Sequence, residues 1–361
     1  MANSNPRIVV LPGDGIGAEV MECALTVLDA VQRHVPGATL DLVHLDAGAG
    51  TYLKTGSALP DDVIAAIGDA DGVLLGAMGL PDVRYPDGTE IIPQIDLRMI
   101  FGLYAGVRPI RLLPGAPTPL GDARAAGLDF VIVRESTEGL FARMKEGTVE
   151  GDAVAEDRLV ITRATSQRLF DFSFRLAEQR KAAGYPGKLT LVDKANVFKS
   201  MAFFRKIFDE RAQAFPEIET DRQYVDAAAL NFVRNPWDYD VVVTENMFGD
   251  ILSDLGAGLI GGMGMAPSAD IGDTTAVFQP SHGTAPDIAG TGKANPTAMI
   301  LSLVLMYEWL ATQQEGGPFG EAAALIDAAV CAAYADGALV PYEAGGSNGT
   351  EAIMARVLAN L

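Results

Sequence analysis

Ile8-Val9-Val10-Leu11 runs directly into Pro12-Gly13-Asp14-Gly15-Ile16-Gly17, after which Val20, Cys23, Ala24, Val27, Leu28 and Val31 recur at helical spacing. A short apolar run, a glycine turn and then a 3.6-residue period read as buried strand, tight turn and helix. The opening invites comparison with the G-x-G-x-x-G phosphate loop of dinucleotide-binding folds. Here the third glycine stands two residues after the second rather than three, so that fingerprint is excluded. Working outward, Gly72 to Leu75, Phe130 to Val133, Leu189 to Val192 and Val241 to Val243 are further strand candidates. Helical patterns lie between several of them, around residues 61–68, 165–182 and 197–213. Strands alternating with helices predict an α/β protein with a largely parallel sheet.

The 361 residues are enough for two domains, and a 49% hydrophobic composition argues against disorder over most of the length. Pro- and Gly-rich stretches near 109–121 and 261–268 are candidate boundaries, making the middle of the chain one domain and its two ends another. The segment 142–160, rich in Gly, Glu and Asp, has no helical period and reads as a protruding arm or a surface loop. A net charge of −20 would repel a phosphate backbone, which argues against nucleic acid. An anionic substrate would need a local cluster of Arg and Lys working against that field. Cys23 and Cys331 both fall in apolar, helix-like segments, which predicts core packing and a reducing compartment rather than a disulfide. The N-terminal Met1-Ala2-Asn3-Ser4-Asn5-Pro6 has no apolar signal core, and the run from Ala298 to Leu310 is too short to span a bilayer. The expectation is a cytoplasmic protein without a membrane partner.

The stretch Thr244-Glu245-Asn246-Met247-Phe248-Gly249-Asp250-Ile251-Leu252-Ser253-Asp254 follows the apolar run 241–243. On one helix, Asp250 and Asp254 lie a turn apart on the same face. Taken alone, such a pair is a solvated acidic face; a hard divalent cation is the other reading, because it takes carboxylate oxygens.

Five segments in order then carry a resemblance: Leu11 to Val20, Val192-Asp193-Lys194-Ala195-Asn196-Val197, Tyr224-Val225-Asp226-Ala227-Ala228, the 244–254 stretch, and Ser281-His282-Gly283-Thr284-Ala285-Pro286-Asp287-Ile288-Ala289-Gly290. Together they resemble the isopropylmalate and isocitrate dehydrogenase family of β-decarboxylating hydroxyacid dehydrogenases, over nearly the whole chain. The resemblance implies the two-domain fold of that family, not a Rossmann fold. It implies a discontinuous large cofactor-binding domain over 1–104 and 261–361, and a dimerisation and substrate domain over 105–260 with its arm near 142–160.

By the same resemblance, Asp226, Asp250 and Asp254 gather around Mg²⁺ or Mn²⁺, which chelates a substrate hydroxyl and the adjacent carboxylate and acts there as a Lewis acid. In isolation Asp226 is equally a helix N-cap. Arg98, Arg108 and Arg134 fall where the family clamps substrate carboxylates; guanidinium forks match carboxylates bidentately. Lys194 is the implied general base, and a desolvated amine beside a metal loses affinity for its proton. The resemblance sends Lys194 and Asp226 into the active site of the neighbouring subunit, which implies a homodimer. Asp14 and Asp193 read as structural.

Cofactor binding is implied for Gly15, Ile16, His282, Gly283, Thr284, Ala285, Asp287, Ile288 and Asn295. Members that use NADP carry Lys-Tyr where this chain has Asp287-Ile288, and an aspartate there repels a 2′-phosphate. Glu343 adds a second acidic group, so NAD is the expected cofactor.

Three departures stand out. Phe141 occupies the position of the family tyrosine that protonates the enol after carbon dioxide leaves, and a phenyl ring cannot donate a proton. Hydride transfer survives this change, whereas ketonisation then needs water or another side chain. Gln279 stands where members typically have Glu near the nicotinamide. On the substrate-selecting helix, Gln94 and Ile95 replace the paired leucines of isopropylmalate enzymes. Burying the Gln94 amide unpaired against an isopropyl group would cost about 1–3 kcal/mol, so a polar or mixed C3 substituent suits it better unless it faces solvent. The expected activity is NAD- and Mg-dependent oxidation, with decarboxylation, of a 3-substituted malate-type 2-hydroxy diacid. The best named substrate is 3-isopropylmalate; tartrate or D-malate, and then isocitrate or homoisocitrate, are alternatives. A reading of another class is a regulatory or binding subunit that has lost turnover.

Overall fold

The computed structural model describes residues 5–313 and 317–361. The segment Met1 to Ser4, on which part of the N-terminal reading falls, lies outside the described residues. Twelve strands run among those described: β1 (Arg7–Leu11), β2 (Asp41–His44), β3 (Gly72–Leu75), β4 (Ala105–Arg111), β5 (Asp129–Glu135), β6 (Thr148–Glu150), β7 (Val154–Glu156), β8 (Lys188–Asp193), β9 (Glu219–Tyr224), β10 (Val241–Thr244), β11 (Pro267–Ile271) and β12 (Ala276–Pro280). The chain divides into two compact units. The first comprises the chain up to Phe101, Leu113–Pro119 and the chain from Ile260 onward; the second comprises Gly102–Leu112 and Leu120–Leu259.

Within the first unit the strand order is β2-β1-β3-β12-β11. β1 pairs in parallel with β2 and β3, β3 with β12, and only β11 runs antiparallel, to β12. This is not the 3-2-1-4-5-6 order of a Rossmann sheet, in accord with the glycine spacing. The helix Thr297–Gln313 lies against this sheet and is buried nearly all round, as an apolar helix without a polar face must be. Among the described residues no helix is long and apolar enough to cross a membrane.

Asp14 holds the first turn of this unit. Its carboxylate accepts backbone N–H groups from Ala49 at 2.8 Å, Gly50 at 2.8 Å and Gly79 at 2.9 Å, tying three segments together. Asp14→Ala strands three donors, two of them buried, at about 1–3 kcal/mol each. The expected result is a loss of at least ~3 kcal/mol in urea unfolding; an unchanged midpoint would show that water replaces the carboxylate.

Within the second unit the order is β4-β5-β10-β8-β9, with β4 antiparallel to β5 and the others parallel. The helices Arg163–Ala182 and Lys199–Ala212 pack through Phe170, Phe174, Phe204 and Phe208, with ring centroids 4.6 Å apart for Phe170–Phe204 and 5.4 Å for Phe174–Phe208. Such aromatic pairs contribute about 0.5–1.5 kcal/mol each beyond area burial. The 142–160 segment is neither helix nor featureless loop. A 3-10 turn at Phe141–Glu146 leads into an exposed antiparallel ribbon of β6 and β7, with Thr148 opposite Glu156.

Candidate active site

In the second unit, β10 delivers the chain into the helix Asn246–Leu259. Glu245 caps that helix: its carboxylate accepts the N–H groups of Phe248 at 2.7 Å and Met247 at 3.2 Å. Asn246 Oδ1 accepts from Arg134 Nε at 3.0 Å and Nη2 at 2.7 Å, and Arg134 Nη1 donates to Asp250 Oδ1. Arg134 is the penultimate residue of β5 and is itself buried. It can lie across the helix because residue 249 is glycine; a Cβ there would meet Arg134 Cγ at 2.6 Å.

Asp250 and Asp254 project from consecutive turns of this helix. Asp250 is half exposed, with 53% of its side chain open to solvent. Burial raises the Asp254 carboxyl above its usual range and the charge of Asp250 raises it further, while Arg108 and Arg134 pull it back. Two half-open carboxylates that repel one another beside buried arginines match the donor chemistry of a hard dication. Among the described residues no three His, Cys, Asp or Glu side chains of one chain gather at metal-ligating distance. One chain thus presents a two-carboxylate set, and Asp226 lies elsewhere.

Asp226 sits beside Lys194. The register of β8 against β9 pairs Asp193 with Tyr224, so the residues that follow the two parallel strands emerge side by side. Lys194 Nζ donates to Asp226 Oδ1 at 2.7 Å, and that bond holds the Asp226 carboxyl below its usual range. The turn that presents Lys194 is fixed from beneath. Buried Asp193 accepts the Ala195 N–H at 2.9 Å and two bonds from Arg205, each 2.7 Å.

In the first unit, the turn at Gly15 and the loop 281–290 are joined. Ile16 N–H donates to Thr284 O at 2.8 Å, and a Cβ on Gly15 (φ 56°) would meet that oxygen at 2.1 Å. Glu19 accepts the Gly290 N–H at 2.9 Å from the other side. Ala285 has φ 35°, a left-handed conformation that an L residue with a Cβ rarely adopts, and Gly283 opens onto free space. Burial lowers the His282 pKa, so the ring is a neutral imidazole; Nδ1 faces Gly283 O at 2.9 Å, and buried Nε2 has no partner. An adenosine would find an orphaned nitrogen and a strained, glycine-lined cradle here. Asp287 is exposed and Ile288 half-buried. Glu343 is engaged within the fold instead, accepting from Asn295 Nδ2 at 2.7 Å and Gly264 N–H at 3.1 Å. Asn295 also accepts the Thr297 N–H at 3.0 Å, at the start of the buried helix.

Also in the first unit, the helix Pro93–Phe101 carries Gln94, Ile95 and Arg98. Gln94 and Ile95 are half-buried, and Gln94 Oε1 is buried without a partner. Arg98 Nε donates to Asp270 Oδ2 at 3.0 Å, and Gln279 Nε2 donates to the same oxygen at 2.7 Å. The sequence reading passed over Asp270, Asn246 and Glu19, each of which acts only through partners far along the chain.

The profile of the family described as isocitrate/isopropylmalate dehydrogenase matches residues 7–355. A 3-isopropylmalate dehydrogenase of Methanothermobacter thermautotrophicus is 42% identical over 98% of each chain. A 3-isopropylmalate/3-methylmalate dehydrogenase of Methanocaldococcus jannaschii is 43% identical over 84% of this chain and 86% of its own. Among solved structures, isocitrate dehydrogenase from Methylococcus capsulatus superimposes with a TM-score of 0.86 at 35% identity, over 98% of this chain and 99% of that one. The family match and these relatives define a dehydrogenase, an enzyme of the oxidoreductase class. More particularly, the chain belongs to the isocitrate/isopropylmalate dehydrogenase family.

Proposed function

We propose that this enzyme oxidises a 3-substituted malate-type 2-hydroxy diacid with NAD and Mg²⁺ or Mn²⁺, with loss of carbon dioxide, and that 3-isopropylmalate is its substrate. The observation that carries this reading is the helix Asn246–Leu259. It sets two carboxylates a turn apart and receives the Arg134 fork from β5 against one of them, so a dication seat on the helix meets a carboxylate clamp on the adjacent strand. The names of the relatives point to the same substrate class.

When bound, the dication would be held by Asp250 and Asp254 with Asp226 of the partner subunit, and would supply Lewis acidity to the substrate oxygens. NAD, seated on Gly15, Ile16 and the 282–288 loop with Asn295 beside them, would accept the hydride; the exposed Asp287 disfavours the 2′-phosphate of NADP. Arg98, Arg108 and Arg134 hold the substrate carboxylates. Lys194 takes the hydroxyl proton at Nζ, with Asp226 orienting the amine through their 2.7 Å bond. Phe141 adds apolar surface beside Arg134, its ring 5.5 Å from the guanidinium carbon, and supplies no proton.

A homodimer follows from the roles given to Lys194 and Asp226. The second unit leaves Leu230 and Val233 on the helix Val225–Arg234, and Ile251 on the helix Asn246–Leu259, more than half exposed. Apolar side chains presented together on helix faces fit a self-complementary interface. Neither Cys23 nor Cys331 is in a disulfide, which fits a cytoplasmic setting.

Gln94 favours a second reading. An orphaned Oε1 asks for a donor, and a hydroxyl at C3, as in tartrate, supplies one. The test is steady-state turnover of isopropylmalate, D-malate, tartrate, isocitrate and homoisocitrate with Mg²⁺ and either NAD or NADP, reading NAD(P)H and carbon dioxide. The expected result is highest kcat/KM with isopropylmalate and NAD. Preference for tartrate would shift the conclusion to the second reading, and binding of NAD without turnover of any diacid would end both.

A further inference from the structure

Asp270 and Gln279 face each other on the hairpin of β11 and β12. Asp270 is in register with Val277, so Gln279 is its diagonal neighbour on the same face of the ribbon. Both are buried, at 1% and 7% exposure, and so is Arg98 at 7%. Asp270 Oδ2 accepts from Arg98 Nε and from Gln279 Nε2 together. The Gln279 carbonyl is pinned in turn by the Ser302 hydroxyl at 2.8 Å, which fixes the strand on which the amide stands.

A buried carboxylate beside a buried guanidinium is stable only with good geometry and its remaining acceptor sites filled. Gln279 fills one. A carboxylate at 279 would instead set two anions on one arginine, and one would have to protonate or draw the guanidinium away. Asp270 also occupies the Nε edge of Arg98, so the fork meets a ligand end-on, through its two Nη groups.

We propose that Asp270 and Gln279 form a carboxylate–amide pair that positions Arg98 for the substrate carboxylate, with Asp270 acting as a positioning residue and residue 279 required to be a hydrogen-bond donor because Asp270 is an acceptor. The proposal rests on the reading that Arg98 clamps the diacid, and it adds what orients the clamp. It also gives Gln279 a cause within this chain: Asp270 rules out an anion there.

The test is a double-mutant cycle of Gln279→Glu, Asp270→Asn and the two together, measuring kcat, KM for the diacid, KM for NAD and the thermal midpoint. In the double variant the polarity of the bond is reversed. The amide introduced at 270 donates to the carboxylate introduced at 279, while the amide oxygen still accepts from Arg98, and the net charge of the trio is unchanged. Each single variant is expected to raise the diacid KM by about tenfold, the scale of one misdirected hydrogen bond, with KM for NAD unchanged. The double variant is expected to return the diacid KM to within about threefold of wild type, a coupling that independent sites do not show. If one single variant does not fold, wild type, the other single and the double carry the same comparison. Rescue of the thermal midpoint without rescue of the diacid KM, additive losses in the double variant, or a rise confined to KM for NAD would each overturn the proposal. Wild-type protein inert on every diacid would instead sink the functional reading itself, so the two failures are distinct.

Discussion

Lys194→Met is expected to lower kcat by about 10²–10⁴-fold on every diacid the enzyme accepts, the usual contribution of a positioned acid or base. Methionine keeps the length and flexibility of lysine and removes the nitrogen. The turn that carries the residue is held by Asp193, the Ala195 N–H and Arg205, none of which touches the changed atom, so the fold should persist. NAD affinity should be unchanged. Asp226 loses the 2.7 Å bond that lowers its pKa, and because the carboxylate is mostly exposed this has little consequence for stability. A companion variant makes the test sharper. Asp254→Asn removes a carboxylate on the other element, and it too should be inactive. Unfolded and refolded together, the two inactive variants should recover about a quarter of wild-type activity if each site draws Lys194 from one subunit and Asp254 from the other, because half of randomly paired dimers then hold one intact site. No recovery would mean that each chain builds its own site. Full activity in Lys194→Met would remove the residue from the chemistry.

Phe141→Tyr is expected to raise carbon dioxide release, by up to about 10²-fold if protonation of the enol limits the native enzyme. The ring begins the 3-10 turn after β5 and sits 5.5 Å from the Arg134 guanidinium carbon, so a phenolic hydroxyl would enter the surroundings of that buried guanidinium. In a single turnover of the same variant the formation of NADH and of carbon dioxide should change little, because hydride transfer and decarboxylation both precede protonation, so the gain falls on steady-state turnover. A wild-type enzyme that already releases one carbon dioxide per NADH at full rate, with no gain from the tyrosine, would show that water or another group donates the proton.

How far the sequence could be read depended on where each segment lies in its sheet. β1, β3, β5, β8 and β10 are runs of Val, Leu and Ile buried on both faces, and all five stand out as apolar stretches. The missed strands break that pattern for identifiable reasons. β4 contains Pro109, which reads as a boundary. β9 is polar along its whole length, Glu219 to Tyr224, because it is an edge strand with one neighbour in its sheet. β11 begins at Pro267 and carries Asp270, whose charge hides its burial until Arg98, 172 residues away, is seen against it. The 246–259 helix was legible with both its aspartates. The Arg134 contacts with Asn246 and Asp250 were not, since they join residues more than a hundred positions apart. Glycine spacing correctly excluded a Rossmann fold, but it could not reveal that Gly15 is required by the carbonyl of Thr284.

The division of the chain has a consequence for its synthesis. By the time Leu259 leaves the ribosome, the second unit has every strand and helix it needs, whereas β3 still lacks its neighbour β12 and the apolar helix Thr297–Gln313 has not been made. The N-terminal segment must therefore wait, with one margin of its sheet open, until Ala276–Pro280 have been made. Any nascent-chain helper this enzyme requires has its work in that interval, and the margin to be shielded is β3.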